Sequence, residues 1–161
     1  MSSPDDLPER GVYTLVIRLS HRTELYVGSL GRVELEAGFY LYTGSGLGRG
    51  PLSLRGRVLR HLGRRRRLFW HIDYLLSRPE SSVEAVVAAE AEERLECLVN
   101  RALLEGLGAS APVRGFGSSD CRSGCPAHLL YTGSSDPLAG VIRIYRALGL
   151  RPVPVVGLGG A

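Results

Sequence analysis

Apolar and polar residues alternate most regularly in the first third of the chain, and that alternation predicts strands. "GVYTLVIRLS" (11–20) joins β-branched and aromatic residues into a first strand, which His21-Arg22-Thr23 turns. "ELYVGSLGRVELEAGFYLYTGS" predicts two more strands with glycine-containing turns, the three forming an antiparallel meander. The period changes after the glycine-rich "GSGLGRG". Pro51 opens a helix whose buried stripe is Leu54, Val58 and Leu62, while Arg57, Arg60, His61 and Arg64 share another side. "WHIDYLLS" is an apolar segment, helix or strand, stopped by Pro79, and "SSVEAVVAA" (81–89) is a strand. From about Glu90 a helix runs to Glu105, with Leu95, Leu98, Val99, Ala102 and Leu103 facing the core and Glu92, Glu96 and Asn100 aligned elsewhere; Gly106 ends it. "LLYTGSS" is a late strand, and "DPLAGVIRIYRALGL" is a closing helix with Asp136 as N-cap and Pro137 at its first position. Residues 1–10 and 151–161 read as tails, the second because Pro and Gly interrupt regular structure. Strands early and helices later predict one α/β (α+β) domain over 11–150: a small, mostly antiparallel sheet flanked by helices, with an extra hairpin and a C-terminal strand-helix extension.

Composition narrows the class. With 161 residues, 44% hydrophobic and 22% charged, the chain can bury a core as a soluble globular protein. No apolar run approaches a membrane span, and "MSSPDDLPER" has neither a positive nor an apolar leader region, which predicts a cytoplasmic protein without a membrane partner. All 20 basic residues are Arg, the side chain suited to forking onto phosphate, and the net charge is +4. Arg64, Arg65, Arg66 and Arg67 run directly into Leu68-Phe69-Trp70-His71; four guanidinium groups beside aromatics would grip phosphate and stack on bases, or form a solvated loop. The three cysteines, Cys97, Cys121 and Cys125, are too few for a disulfide scaffold and fit a reduced compartment.

One pentapeptide recurs. "LYTGS" stands at 41–45 and 130–134, and "LYVGS" at 25–29; each reads as a strand end whose Gly can take positive φ and whose Ser can cap the next element. Only the second copy is followed by a glycine loop and then the Arg57/His61 helix, so tyrosine, turn and guanidinium can converge there. The third is followed by Arg143, spaced like Arg57, but has Ala147 where the second has His61, so Arg143 is expected to support structure or backbone binding. A second constellation is "DCRSGCPAH", in which Cys121, Cys125 and His128 would hold Zn²⁺, with Asp120, Cys97 or His71 as fourth ligand; a Cys121–Cys125 disulfide or a tight packed loop fits the same spacing.

In order, "GVY" (11–13), "YTG" (42–44), the arginine of "RVLRHL" (57–62) and the helix "ECLVNRALL" (96–104) resemble the landmarks of the GIY-YIG nuclease superfamily. "FWHIDYLL" (69–76) and "GFGSSDCRSGCPAHLLY" (115–131) resemble one archaeal and bacterial branch of it, DUF123-like, catalogued as a domain of unknown function and sometimes fused to the repair glycosylase endonuclease III. The resemblance implies a metal-dependent endonuclease that hydrolyses phosphodiesters in DNA rather than RNA, with a repair protein as partner. It implies catalytic Tyr13, Tyr42, Arg57, His61 and Glu96: Tyr13 as a base whose pKa nearby cations lower, Tyr42 positioning, Arg57 clamping the phosphate, His61 orienting a proton, and Glu96 as the single protein ligand of Mg²⁺ or Mn²⁺. Arg60, Arg64, Arg65, Arg66, Arg67, Trp70 and Asn100 are then expected to bind the nucleic acid. Two alternatives carry different chemistry: a non-catalytic nucleic-acid-binding module on the same fold, or a zinc-stabilised interaction domain.

Overall fold

A continuous apolar run predicts a strand covered on both faces, and β1 (Gly11–Leu19) occupies that position. It lies between β4 (Gly38–Gly46) and β5 (Ser81–Glu90) and pairs antiparallel with both along its length. The computed structural model describes residues 3–63, 67–118 and 124–159. Within them β6 (Leu129–Gly133) and β7 (Val153–Val155) take the two edges, giving the order β6-β4-β1-β5-β7. The intervening segment forms two strands of its own, β2 (Thr23–Val27) and β3 (Gly31–Leu35), which pair only with each other. The expected three-strand meander is therefore four strands, with β1 and β4 partnered across an inserted hairpin. Its strict alternation buries one face only, which suits a ribbon lying on the sheet rather than a strand inside it.

Among the described residues four α-helices cover the two faces. α1 (Leu54–Leu62) and α2 (His71–Leu76), with the hairpin, pack on the side of Tyr13, Leu15 and Ile17, where Leu54, Val58 and Ile72 are fully buried. α3 (Glu96–Gly106) and α4 (Leu138–Ala147) pack on the other side, against Val12 and Val16, through Val99, Leu103, Val141 and Tyr145. Beneath them the hydroxyls of Thr14, Thr43 and Tyr145 form a buried chain, Thr14 sitting 2.9 Å from Thr43 and 2.8 Å from Tyr145. An α+β fold, with hairpin and strand-helix extension, is what the pattern predicted.

Several boundaries differ for identifiable reasons. The helix expected from Glu90 begins at Glu96, because Glu90 is still paired with Gly11 in the sheet; helix propensity in "EAEERLE" yields to that ladder. Glu92 is therefore not on the helix with Glu96, and Leu98 is exposed. Pro51 lies in a short 3₁₀ turn, and α1 is instead capped by Ser53, whose hydroxyl accepts from the Gly56 amide at 2.9 Å. The buried stripe of α1 is Leu54, Val58 and His61, with Leu62 only partly covered. Pro137 is the N-cap of α4, and Asp136, one position earlier, accepts from the Leu138 amide. Within the described residues neither terminal segment is a loose tail. Leu7 is buried in the core and its carbonyl accepts from the Arg55 guanidinium, while β7 adds to β5, its Pro154 tolerated because the strand is at an edge. Among the described residues no helix is long and apolar enough to cross a membrane.

Candidate functional site

β6 pairs with β4 only from Phe39 to Tyr42. The Thr43 amide still reaches the His128 carbonyl, but the last residues of β4 lack that neighbour, and side chains from both faces of the sheet reach this notch. The result is a cavity of about 210 Å³. Tyr13 from β1, Tyr42 and Ser45 from β4, Arg57 from α1, Trp70 just before α2, and Glu96 at the start of α3 all line it. Five elements far apart in sequence thus contribute to one space, and it is the second "LYTGS" copy that does so.

Tyr13 is opposite Gly44 in the ladder, and its phenol crosses the glycine: a Cβ built on Gly44 would stand 2.7 Å from the Tyr13 oxygen. Gly44 is required for space and does not take positive φ, unlike Gly28 and Gly133 in the other two copies. Nor does Ser45 cap a helix; its hydroxyl donates to the Glu96 carboxylate, tying β4 to α3. The first copy instead exposes Tyr26 on the hairpin, and Tyr131 of the third bonds the Ala37 carbonyl. The same tyrosine ends in three different roles because tertiary neighbours, not local sequence, assign them.

The Tyr13 hydroxyl is hydrogen bonded to Nε2 of His61 at 2.8 Å, both residues being buried. His61 therefore lies behind Tyr13 rather than on the exposed cationic face of α1. Burial holds the Tyr13 phenol well above its ordinary pKa, reinforced by Tyr42, although Arg57 pulls the other way. Burial likewise pushes Tyr42 up to about 12, with Asp73 adding to it and Arg57 opposing. The expected lowering of a tyrosine pKa by nearby cations is thus reversed: desolvation outweighs the guanidinium.

Arg57 and Arg60, one turn apart, have opposite assignments. The Arg57 guanidinium lines the cavity 5.2 Å from the Trp70 ring, and its Nε is buried with no hydrogen-bond partner among the described residues. Arg60 clasps fully buried Asp73 through two nitrogens at 2.7 and 2.9 Å and also donates to the Arg67 carbonyl. It was expected on nucleic acid; its hydrogen bonds instead make it a structural clamp. Asp73 also accepts from the amides of Phe69 and Trp70, fixing the chain where it enters α2 and setting the indole over both arginines. These bonds keep the carboxyl below its usual pKa despite burial.

Asn100 is likewise not a surface contact: it is buried, and its amide donates to the Ala127 carbonyl at 2.7 Å. Arg67 is exposed, and Phe69, three-quarters exposed, stands at the cavity mouth. Arg64, Arg65 and Arg66 lie outside the described residues, as do Asp120 and Cys121 with the disulfide considered for the latter. Cys97, Cys125 and His128 do come together, their ligand atoms all within 4.8 Å of one another, as a candidate metal-binding cluster. His128 also lines the main cavity, as does His71, whose Nδ1 accepts from the Gly117 amide. Gly117 has φ +71°, and a Cβ there would meet the Tyr42 ring at 2.8 Å. Asp73, Ser45, Arg94 and Gly117 escaped sequence reasoning. Only Asp73 carried a readable signal, a carboxylate three residues after the first residue of "WHID", where it can reach back to the helix-start amides.

No curated protein and no solved structure matches the chain. One family model does, described as a domain of unknown function, DUF123, over residues 12–150.

Proposed function

Since the chain belongs to the DUF123 family, whose description assigns no activity, the cavity must supply the chemistry, and from it we propose a divalent-metal-dependent endonuclease that hydrolyses phosphodiester bonds in DNA. The single observation carrying this reading is that Tyr13, Tyr42, Arg57 and Glu96, matched one by one to the GIY-YIG landmarks, line the same cavity. Arg57 supports it independently. A buried guanidinium nitrogen without a partner is costly, and a phosphate oxygen is the acceptor its planar fork fits.

The donor set fits a hard cation. Glu96 is the only carboxylate among the described residues lining the cavity, and one carboxylate with water and phosphate oxygens suffices for Mg²⁺ or Mn²⁺. A divalent ion held by Glu96 would supply positive charge to offset the charge that builds on a phosphate. Ser45 holds one Glu96 oxygen in place, and Arg94 lies 3.3 Å from the other. Arg57 grips the phosphate and offsets the charge that builds on its oxygens.

Proton transfer runs through the Tyr13–His61 pair. A phenol held protonated by burial is a poor base alone, but with Nε2 of His61 as acceptor its oxygen can take a proton while giving up its own. As water attacks phosphorus, its proton passes to the Tyr13 oxygen and the phenol proton moves to His61, which becomes imidazolium. The bond from phosphorus to the leaving oxygen breaks, and that oxygen takes a proton from solvent. Tyr42 borders the same space and positions the phosphate. Exposed Phe69 at the mouth suits a flanking base, and exposed Arg67, two residues earlier in the chain, suits the backbone.

The test is incubation with duplex, nicked, flapped, mismatched and single-stranded DNA, and with RNA, in Mg²⁺ or Mn²⁺. Strand scission that vanishes with chelator and in Arg57→Ala and Glu96→Ala is expected. Binding without divalent-dependent scission of any form would instead assign a non-catalytic nucleic-acid-binding module.

A further inference from the structure

Among the described residues, Cys97, Cys125 and His128 form a group of metal-ligating atoms outside the proposed hydrolytic residues. Cys97 is the second residue of α3; Cys125 and His128 lie in the segment that leads into β6. The two regions touch here through weak sulfur contacts: Cys97 Sγ is 3.6 Å from His128 Nε2, and the Cys125 thiol donates to the Cys97 carbonyl at 3.9 Å.

The spacing can be compared with a metal's demand. A tetrahedral zinc ion with Zn–S of about 2.3 Å and Zn–N of about 2.0–2.1 Å sets sulfur and nitrogen about 3.6 Å apart, and two sulfurs about 3.8 Å apart. The Cys97 Sγ to His128 Nε2 separation is 3.6 Å, and all three atoms fall within 4.8 Å of one another. The ligands would thus need only small rotations. Two thiolates and an imidazole select a borderline-soft ion such as Zn²⁺ over Mg²⁺ or Ca²⁺, which take oxygen. Cys97 sits in the first turn of an eleven-residue helix, where unpaired amides favour a thiolate. His128 is held by its own backbone, its amide donating to the Phe116 carbonyl at 2.8 Å. Cys97 and Cys125 are partly buried and His128 is buried, so the ligands are screened without being sealed from an entering ion.

We propose that Cys97, Cys125 and His128 bind one Zn²⁺ that pins the first turn of α3 to the segment entering β6. Three protein ligands leave a fourth position for one more. The site is distinct in chemistry from the hard-cation site at Glu96, yet Glu96 is the adjacent residue and His128 borders the same cavity. Zinc here therefore fixes the helix end that carries the hydrolytic carboxylate. Metal uptake stands or falls separately from nuclease activity.

Reduced protein, stripped with chelator and dialysed against Zn²⁺ or Co²⁺, tests this without any substrate. One equivalent of metal is expected, with a thiolate-to-cobalt charge-transfer band in the Co²⁺ form, a higher thermal midpoint than the stripped protein, and loss of both band and bound equivalent in Cys97→Ser and in His128→Ala. Should either variant fold poorly, alkylation of the wild-type protein followed by mass spectrometry serves instead. Zn²⁺ should protect the Cys97 and Cys125 peptides, and chelator should release that protection. Substoichiometric uptake with no charge-transfer band, full retention of metal in Cys97→Ser, or equal alkylation of both peptides with and without Zn²⁺ would each overturn the proposal.

Discussion

Replacing Arg60 by Ala removes one of three supports from a carboxylate that has no exposure to solvent. Asp73 accepts four hydrogen bonds, two from Arg60 and one each from the amides of Phe69 and Trp70. In the variant Oδ2 keeps two amides, whereas Oδ1 loses the Arg60 bond at 2.7 Å and the charge loses its counterion. Breaking a buried pair from one side costs about 3–5 kcal/mol, and the retained amides put this case near the lower end, about 3 kcal/mol. For a chain of this length that lowers the thermal midpoint by about 6–12 °C. The pH dependence has a definite sign. The native carboxyl is held below its ordinary pKa, so its contribution is present above the unfolded value of about 3.9 and is lost as pH falls through the depressed native value. Without Arg60 the native pKa rises, so the gap between the two proteins should be widest near neutrality and shrink below about pH 4. Urea titrations at pH 7 and pH 4, with Arg60→Ala measured also in an Asp73→Asn background, read this directly. A loss of stability no larger than that of Arg57→Ala, or a gap unchanged between the two pH values, would refute the reasoning.

Gly44→Ala forces a methyl against the Tyr13 phenol and is expected to cost about 1–3 kcal/mol in denaturant unfolding while displacing Tyr13 from His61. In Tyr145→Phe the Thr14–Thr43 bond remains but the 2.8 Å bond to Thr14 is lost, for a loss of about 1 kcal/mol by the same assay. Buried Tyr13 and partly buried Tyr42 have raised native pKa values, so the folded state's advantage is intact below about pH 10, where unfolded tyrosine ionises, and is lost as pH rises beyond it. Tyr13→Phe should flatten that alkaline fall in thermal midpoint. Leu98→Ala, on the exposed side of α3, should stay within about 0.5 kcal/mol of wild type, whereas Leu103→Ala should lose about 2–5 kcal/mol.

What could be read from the sequence was set by periodicity and order. The run in β1, Leu54 and Val58 of α1 and the core positions Val99 and Leu103 declare themselves because apolar patterning there matches burial. Tyr42 and Arg57 could be singled out because only that pentapeptide precedes a glycine loop and the arginine helix, whereas Tyr13 and Glu96 were nameable only through resemblance. What stayed hidden is tertiary. Nothing one turn apart on a helix reveals that Arg57 opens to a cavity and Arg60 closes on Asp73. The direction of the tyrosine pKa shifts depends on how much desolvation accompanies each nearby charge, which spacing does not contain. Cys97 entered the metal cluster from a helix start displaced by six residues from where composition put it, because sheet pairing ran on through Glu90.

The chain has a single tryptophan, and it is the ring beneath both arginines, 5.2 Å from the Arg57 carbon and 4.5 Å from that of Arg60. Its emission is thus a built-in gauge of the cavity. An anion that draws Arg57 away alters one of the indole's two cationic neighbours while Asp73 keeps the other in place, so occupancy can be followed in unlabelled protein, with no background from a second fluorophore of its kind.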